Sequence, residues 1–238
     1  MKPIEAANSG HAARRLLAGL ACLAILPTSV PHTPVAAAAG SVAGEVLLLT
    51  KSTRRLATPG AYPNRTVTLA PRDGASEVEN VIVFARSAAT AAPRPSSSVI
   101  RQKDEEFRPH VLAVTTGSSV EFSNDDPFFH NVFSLSKAAT FDLGRYPRGQ
   151  SRVRTFNTHG IVKLYCHIHS HMSALVRVFD HPYFARPDRN GHFELAGLLP
   201  GRYEIVAWHE RVGEQMRMVT VDAARTAYVA YSLPMEGE

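Results

Sequence analysis

Short runs of apolar or alternating residues recur along the chain from residue 45 onward, and no amphipathic stretch of helical length competes with them. Turn signals such as Asp73-Gly74, Thr116-Gly117, Arg189-Asn190-Gly191 and Pro200-Gly201 separate these runs. Regularly spaced short strands are typical of a sandwich or barrel, so the sequence predicts an all-β fold. The predicted strands are Glu45–Thr50, Asn80–Ala85, Val111–Thr115, Ser119–Ser123, Arg152–Phe156, Ile161–Cys166, Leu175–Phe179, Tyr203–Trp208, Met218–Val221 and Ala227–Leu233.

The first 39 residues are predicted to be a secretory signal peptide. Basic residues, including Arg14 and Arg15, precede the apolar run Leu16–Leu26, and small residues follow at Val35–Ala39. The apolar run is short for a bilayer and ends at Pro27, so an uncleaved membrane anchor is the weaker interpretation. We therefore expect a bacterial protein that is periplasmic or secreted, without stable membrane insertion after signal cleavage.

Charge and cysteine content narrow the classes of partner. The whole chain carries a formal charge of +5, of which the first 39 residues supply +2, so the remainder is only mildly basic. No basic run interleaved with aromatic residues occurs, and a nucleic-acid partner is not expected.

Without Cys22 in the signal segment, Cys166 is the only cysteine left. A lone cysteine in an oxidising compartment is reactive unless it is buried or occupied.

Cys166 begins a dense group of metal-binding side chains. The segment Tyr165–Met172 holds one thiol, three imidazoles and one thioether, directly after a predicted strand. Sulfur combined with imidazole selects copper or zinc, and one Cys with two His and a distant thioether suits a blue-copper centre. A second segment, Asn124–Val132, lies upstream and contributes His130 as the imidazole that the group needs from another loop.

The spacing Cys166-x-x-His169-x-x-Met172, with His130-Asn131-Val132 upstream, resembles the cupredoxins, and most closely the short ligand loop of amicyanin. The resemblance implies one type 1 copper ion, with His130, Cys166 and His169 as equatorial ligands and Met172 as the weak axial ligand. It also implies that Asn131 holds the two ligand loops together. Further phrases resemble the bacterial proteins described as methylamine-utilisation or plastocyanin-like, namely Phe129–Ser134, Phe141–Gly144 and Asp180–Ala185.

Other metal sites fit the residues less well. A multicopper oxidase needs a second His flanking the Cys where Tyr165 stands, and it needs His-x-His pairs upstream that this chain lacks. Structural zinc usually recruits more Cys or His rather than a Met. His167 and His171 are left out of the ligand set, because residues next to a ligand on a strand point to the opposite face. Four histidines that lack a nearby ligand partner are interpreted as structural: His110, His159, His192 and His209.

A second resemblance frames the copper segment. Asp188–Leu195 and Gly197–Ile205 resemble the later half of a carboxypeptidase-regulatory-like β-sandwich, and Gly44-Glu45-Val46 with Val81–Phe84 fits its opening strands. The copper domain is therefore either inserted into a discontinuous sandwich or flanked by β extensions. Trp208-His209-Glu210 is interpreted as a strand end with an aromatic anchor, and the small, polar stretch Ser87–Ser98 as a linker or long loop.

The expected fold is thus a Greek-key cupredoxin β-sandwich with an additional immunoglobulin-like or transthyretin-like β-sandwich. We expect a signal peptide at residues 1–39, N-terminal strands at 40–90, a cupredoxin domain at 98–180 and a C-terminal sandwich segment at 181–238.

The expected function is one-electron transfer to a redox partner protein rather than enzyme catalysis. Four protein ligands leave no open metal position for a substrate. The alternative is copper binding, storage or delivery without redox turnover, which the extra imidazoles of His167 and His171 would serve. A third possibility is a β-rich interaction module that copper only stabilises.

Overall fold

The computed structural model describes residues 38–50, 77–86 and 91–235, and across these ranges the chain is built from β-strands. Most of the signal segment, the turn at Asp73-Gly74 and residues 87–90 of the linker lie outside these ranges. No helix in the described part of the chain is both long and apolar enough to cross a membrane. The strands are β1 Gly40–Thr50, β2 Ile82–Ala85, β3 Ser97–Lys103, β4 Glu106–Arg108, β5 Val111–Thr115, β6 Ser118–Asn124, β7 His130–Ser136, β8 Ala139–Tyr146, β9 Ser151–Phe156, β10 Gly160–Tyr165, β11 Ser173–Phe179, β12 Phe184–Ala185, β13 His192–Leu198, β14 Gly201–His209, β15 Gly213–Val221 and β16 Thr226–Met235.

Strands β3 to β11 form one sandwich, here called the inner sandwich. Its two sheets have the strand orders β4-β3-β6-β9 and β5-β11-β10-β7-β8. Every second residue of β6 is buried, as expected for a strand with one face on a core. Buried side chains from both sheets form a shared cluster, which includes Phe122, Val132, Phe156 and Leu164.

The remaining strands form the outer sandwich, with sheets β13-β1-β16 and β12-β2-β14-β15. β1 pairs antiparallel with β13, and it pairs in parallel with β16 from Ser41 opposite Thr226 to Thr50 opposite Met235. β2 lies against β14 in the second sheet. Strands from before and after the inner sandwich therefore share both sheets of the outer one.

A separate apolar cluster joins the two sandwiches. Phe84 and Trp208 come from the outer sandwich and pack with Leu175 and Phe179 of the inner sandwich. The guanidinium of Arg177 lies over the Phe84 ring, 4.3 Å from its centroid, and 4.8 Å from that of Trp208. The two sandwiches thus bury a common apolar surface rather than meeting through polar side chains alone.

The all-β prediction is confirmed, and each of the ten predicted strands overlaps an observed one. The linker prediction is wrong at its end, because Ser97 and Ser98 already belong to β3 and pair with Ser119 and Val120 of β6. His130 was expected in a loop but is the first residue of β7. The backbone pairing of these polar segments depends on strands distant in sequence, which local composition does not report. The domain boundaries at 40–90, 98–180 and 181–238 stay a prediction.

Candidate metal centre

Strand order places the candidate ligands at one end of the inner sandwich. His130 opens β7, and Cys166 directly follows the last residue of β10. These strands are antiparallel neighbours, with Tyr165 opposite Phe133, so the start of β7 lies beside the end of β10. The loop between β10 and β11 then carries His169 back toward the same point.

Three predicted ligands converge. The Cys166 Sγ lies 3.8 Å from His130 Nδ1 and 3.9 Å from His169 Nδ1, and the two Nδ1 atoms are 3.1 Å apart. His130 and Cys166 are buried, whereas His169 is half-buried. All three donor atoms lie within 4.8 Å of one another, which is close enough for a single metal ion to contact each of them.

Met172, the predicted axial ligand, is also near this loop. Its side chain is buried and belongs to the same core cluster as Cys166. Its backbone N–H donates to the carbonyl of His169 at 3.0 Å, which closes a turn within the ligand loop. Coordination by its thioether stays a prediction.

A buried carboxylate orients His130. The Nε2 of His130 lies 2.8 Å from Asp126 Oδ2, and both side chains are almost fully buried. Asp126 also accepts the backbone N–H groups of Asp104, at 2.7 Å, and Glu105, at 3.0 Å. Burial raises the pKa of Asp126, but these backbone hydrogen bonds and the one from His130 outweigh it and hold the pKa below its ordinary value. The carboxylate therefore accepts a hydrogen bond from the Nε2–H of His130 and leaves Nδ1 for the metal.

The donor set fits a soft metal ion. With Nε2 of His130 donating to Asp126, the His130 Nδ1 presents a lone pair toward both His169 Nδ1 and Cys166 Sγ. A cation at this point would be within reach of all three donor atoms. One thiolate with two imidazoles is a set that copper or zinc accepts, and the thioether of Met172 close by in the chain favours copper.

Asn131 joins the two ligand segments. Its Oδ1 accepts the backbone N–H of His167 at 2.7 Å, next to Cys166 in the chain. Its Nδ2 donates to Asp142 Oδ1 at 3.0 Å. The N–H of Gly144 also donates to Asp142, and this bond, with that from Asn131, holds the pKa of Asp142 below its ordinary value despite some burial. The role expected for Asn131, of tying the two segments together, is present in these bonds.

His167 and His171 have other partners. The His167 ring stacks on Phe133, with 3.8 Å between centroids, and its Nε2 lies 3.6 Å from Asp142. His171 is exposed, with its Nε2 3.2 Å from a carboxylate oxygen of Glu105. Neither belongs to the group of converging donors.

The role of one residue next to the site was not identified from the sequence: Asp126 carries the carboxylate on His130. Phe128, which was expected beside His169, packs its ring 5.2 Å from that of His130 and 5.4 Å from that of His169. The position of Asp126 four residues before a candidate ligand was the available signal. A turn-forming interpretation explains Asp in this segment equally well, so the sequence did not separate the two.

No protein-family model matches the sequence, and no curated protein matches it. Similar solved structures include a copper-containing nitrite reductase of Thermus scotoductus SA-01, at 25% identity and a TM-score of 0.34 over 38% of this chain and 23% of the reductase. This chain thus spans less than a quarter of that protein. A purple cupredoxin of Nitrosopumilus maritimus is 24% identical, with a TM-score of 0.31 over 34% of this chain and 98% of its own. An amicyanin variant with Cu(I) is 19% identical, with a TM-score of 0.33 over 40% of this chain and 97% of its own. These TM-scores are all below 0.5, so the function has to be inferred from the residues of this chain.

Proposed function

We propose that this is an exported type 1 copper protein that transfers single electrons, with His130, Cys166 and His169 as equatorial ligands and Met172 as the weak axial ligand. The convergence of one buried thiol and two imidazole Nδ1 atoms within 4.8 Å carries the proposal. Bound copper would supply a one-electron couple between Cu(II) and Cu(I). Export is expected from the apolar run Leu16–Leu26.

The protein around these ligands is built to keep them in place. His130 is held by Asp126, and the segment after Cys166 is held by Asn131. Ligands that are fixed by strands and outer hydrogen bonds do not have to move when the charge of the metal changes. A site filled by protein side chains also leaves no position for a substrate, so we propose no enzyme activity.

The proposal is tested by the absorption spectrum of the Cu(II)-loaded protein. We expect an intense visible charge-transfer band, which Cys166→Ser abolishes because the thiolate is its source. His169→Ala should also remove the band, whereas the matched variant His171→Ala should leave it nearly unchanged. A colourless protein that binds only zinc would refute the copper assignment, and the reverse histidine pattern would place the ligand loop differently.

An apolar patch beside His169 is the proposed docking surface for the redox partner protein. Phe128, Phe129 and Ile168 are 39%, 54% and 39% exposed, and the Phe128 ring contacts that of His169. An exposed apolar patch rimmed by polar residues is typical of an interaction surface. Electron-transfer encounters are small and transient, so a few such side chains suffice.

Phe129→Asp should slow electron exchange while copper stays bound, because it places a charge in the patch without touching a ligand. Stopped-flow oxidation by a small redox protein measures the rate, and the visible spectrum measures the copper content. The control is Tyr228→Asp, at an 81% exposed aromatic residue on β16 of the outer sandwich. Equal slowing by both variants would argue against docking at the patch.

Copper delivery is the second candidate function, and His171 is the observation that favours it. Its side chain is 61% exposed, and its ring centroid lies 6.1 Å from that of His169, so it could receive an ion from the site. Voltammetry separates the two functions. A reversible couple supports electron transfer, whereas tight Cu(I) binding without a reversible couple, followed by transfer of the ion to a chaperone, supports delivery.

A further inference from the structure

His110 contacts the strand that follows the copper loop at two points. Its backbone carbonyl accepts the N–H of Leu175 at 2.8 Å, and its ring Nδ1 lies 3.0 Å from the carbonyl oxygen of Ser173. Ser173 directly follows Met172, the last residue of the ligand loop. These two contacts join the Met172 end of the loop to His110, which directly precedes the neighbouring strand β5.

The same ring reaches the outer sandwich. The His110 Nε2 lies 2.5 Å from Glu210 Oε1, a residue 100 positions away in the sequence. Both ring nitrogens thus face oxygen atoms, a backbone carbonyl on one side and a carboxylate on the other. A charge-assisted hydrogen bond to a carboxylate is stronger than a neutral one, so this contact holds the ring firmly. The bond from His110 also holds the pKa of Glu210 below its ordinary value, against the effect of burial.

The turn that carries Glu210 is itself anchored. His209 ends β14 and is fully buried, with its Nε2 3.5 Å from Glu77 Oε1. The Arg211 N–H donates to His209 Nδ1 at 3.3 Å, and the Arg211 guanidinium lies 3.4 Å from the same Glu77 oxygen. Glu77 in turn accepts a hydrogen bond from the Asn80 side chain. Glu210 is thus presented from a fixed turn rather than from a free hairpin tip.

We propose that Glu210 and His110 are positioning residues of the copper site, through which the outer sandwich holds the Ser173 carbonyl and with it the Met172 end of the ligand loop. This inference rests on the proposed copper function. It gives the outer sandwich a role in metal binding, and it explains the histidine and carboxylate of the Trp208-His209-Glu210 segment, which a plain strand end does not require.

The test uses the full chain and four variants. Glu210→Ala and His110→Gln each break the contact, whereas Glu210→Gln keeps a side chain that can hydrogen-bond the His110 ring. Glu214→Gln is the control, because Glu214 pairs with Arg86 and Arg177 across the same sandwich contact without touching the ligand loop. Three quantities are measured: the Cu(I) dissociation constant by chelator competition, the Cu(II) spectrum, and amide hydrogen exchange of residues 169–175 in the copper-free chain.

Glu210→Ala and His110→Gln should weaken copper binding by about tenfold, as loss of an outer contact to a metal site typically does. Both should change the relative intensity of the visible bands and speed exchange at residues 169–175. Glu210→Gln should retain most of the wild-type affinity, and Glu214→Gln should change none of the three quantities. If Glu210→Ala does not fold, His110→Gln decides.

Wild-type affinity and exchange in both contact-breaking variants would overturn the inference, as would an equal loss in Glu214→Gln. A wild-type protein without a charge-transfer band would instead refute the proposed function. Exchange in the copper-free chain would then still show whether the Glu210–His110 pair holds the loop.

Discussion

At the scale of single residues, the pair of Asp126 and His130 shows how hydrogen bonds offset the free-energy cost of burying a charge. Burying a carboxylate without partners costs several kcal/mol, whereas Asp126 receives three hydrogen bonds, two of them from backbone N–H groups. The exposed pair of His192 and Asp188 makes a similar contact at 3.5 Å, but solvent screens it and its contribution is small. Because it is buried, the contact of Asp126 with His130 fixes the orientation of the histidine ring more strongly than the exposed contact of Asp188 with His192 does.

Asp126→Asn should weaken copper binding by about tenfold or more, because an amide NH₂ would face either a backbone N–H or the Nε2–H of His130. Chelator competition measures the affinity. Asp125→Asn is the matched control, since the Asp125 carboxylate forms a partly exposed ion pair with Arg101 at 3.5 Å. Similar affinities for the two variants would mean that Asp126 does not orient His130.

At the scale of elements, β1 is the central strand of its sheet, between β13 and β16. The segments next to it therefore lie close to its backbone. The turn before β13 approaches β1 so closely that a Cβ on Gly191 would lie 2.2 Å from the Val46 carbonyl oxygen. Gly191 has a φ of +87°, and its own carbonyl accepts the N–H of Val46 at 2.9 Å. Both the left-handed backbone and the close approach thus require glycine here.

Gly191→Ala should lower the free energy of unfolding by about 3 kcal/mol or more, since it combines backbone strain with a clash against a backbone atom. The control is Gly197→Ala, because Gly197 has a φ of +78° and no atom within 4 Å of its Cβ position. Strain alone should cost that variant about 1–2 kcal/mol. Urea unfolding compares the two, and equal losses would show that the contact with Val46 relaxes at little cost.

At the scale of the whole molecule, the chain passes from the inner to the outer sandwich through a buried histidine. His181 lies between β11 and β12, is 6% exposed and packs its ring near those of Phe179 and Tyr183. Burial lowers the pKa of His181 below its ordinary value of 6.5, although Asp180 acts in the opposite direction. As pH falls through 6.5, the unfolded chain binds a proton at His181 that the folded chain does not, so lower pH favours unfolding.

The free energy of unfolding of the copper-free protein should fall between pH 7.5 and pH 5.5, by at most about 1.4 kcal/mol per pH unit for this one proton. His181→Gln should reduce that dependence, whereas His159→Gln, at an exposed residue before β10, should leave it in place. Urea unfolding at the two pH values provides the measurement. An unchanged pH dependence in His181→Gln would assign the effect to other groups.

Some of this protein could be predicted from the sequence because the relevant signals are local. Alternating runs and turn residues indicated the all-β fold, since a strand buries every second side chain whatever its partner is. Cys166, His169 and Met172 stand within seven positions, so their spacing alone pointed to a metal loop. The segment of His130 was identified in the same way, although its placement at the start of β7 was not.

Tertiary structure decided which distant groups meet. β1 pairs with β16 across 185 positions of the sequence, and His110 contacts Glu210 across 100 positions. The local sequence of each segment does not indicate which distant segment it contacts. Likewise, only the folded chain shows that the Asp126 carboxylate turns toward His130 rather than into solvent. Periodicity and turn chemistry act over a few residues, so they set the elements. The pairing of surfaces depends on packing across the whole chain, and it is this packing that places an outer-sandwich carboxylate within reach of the copper loop.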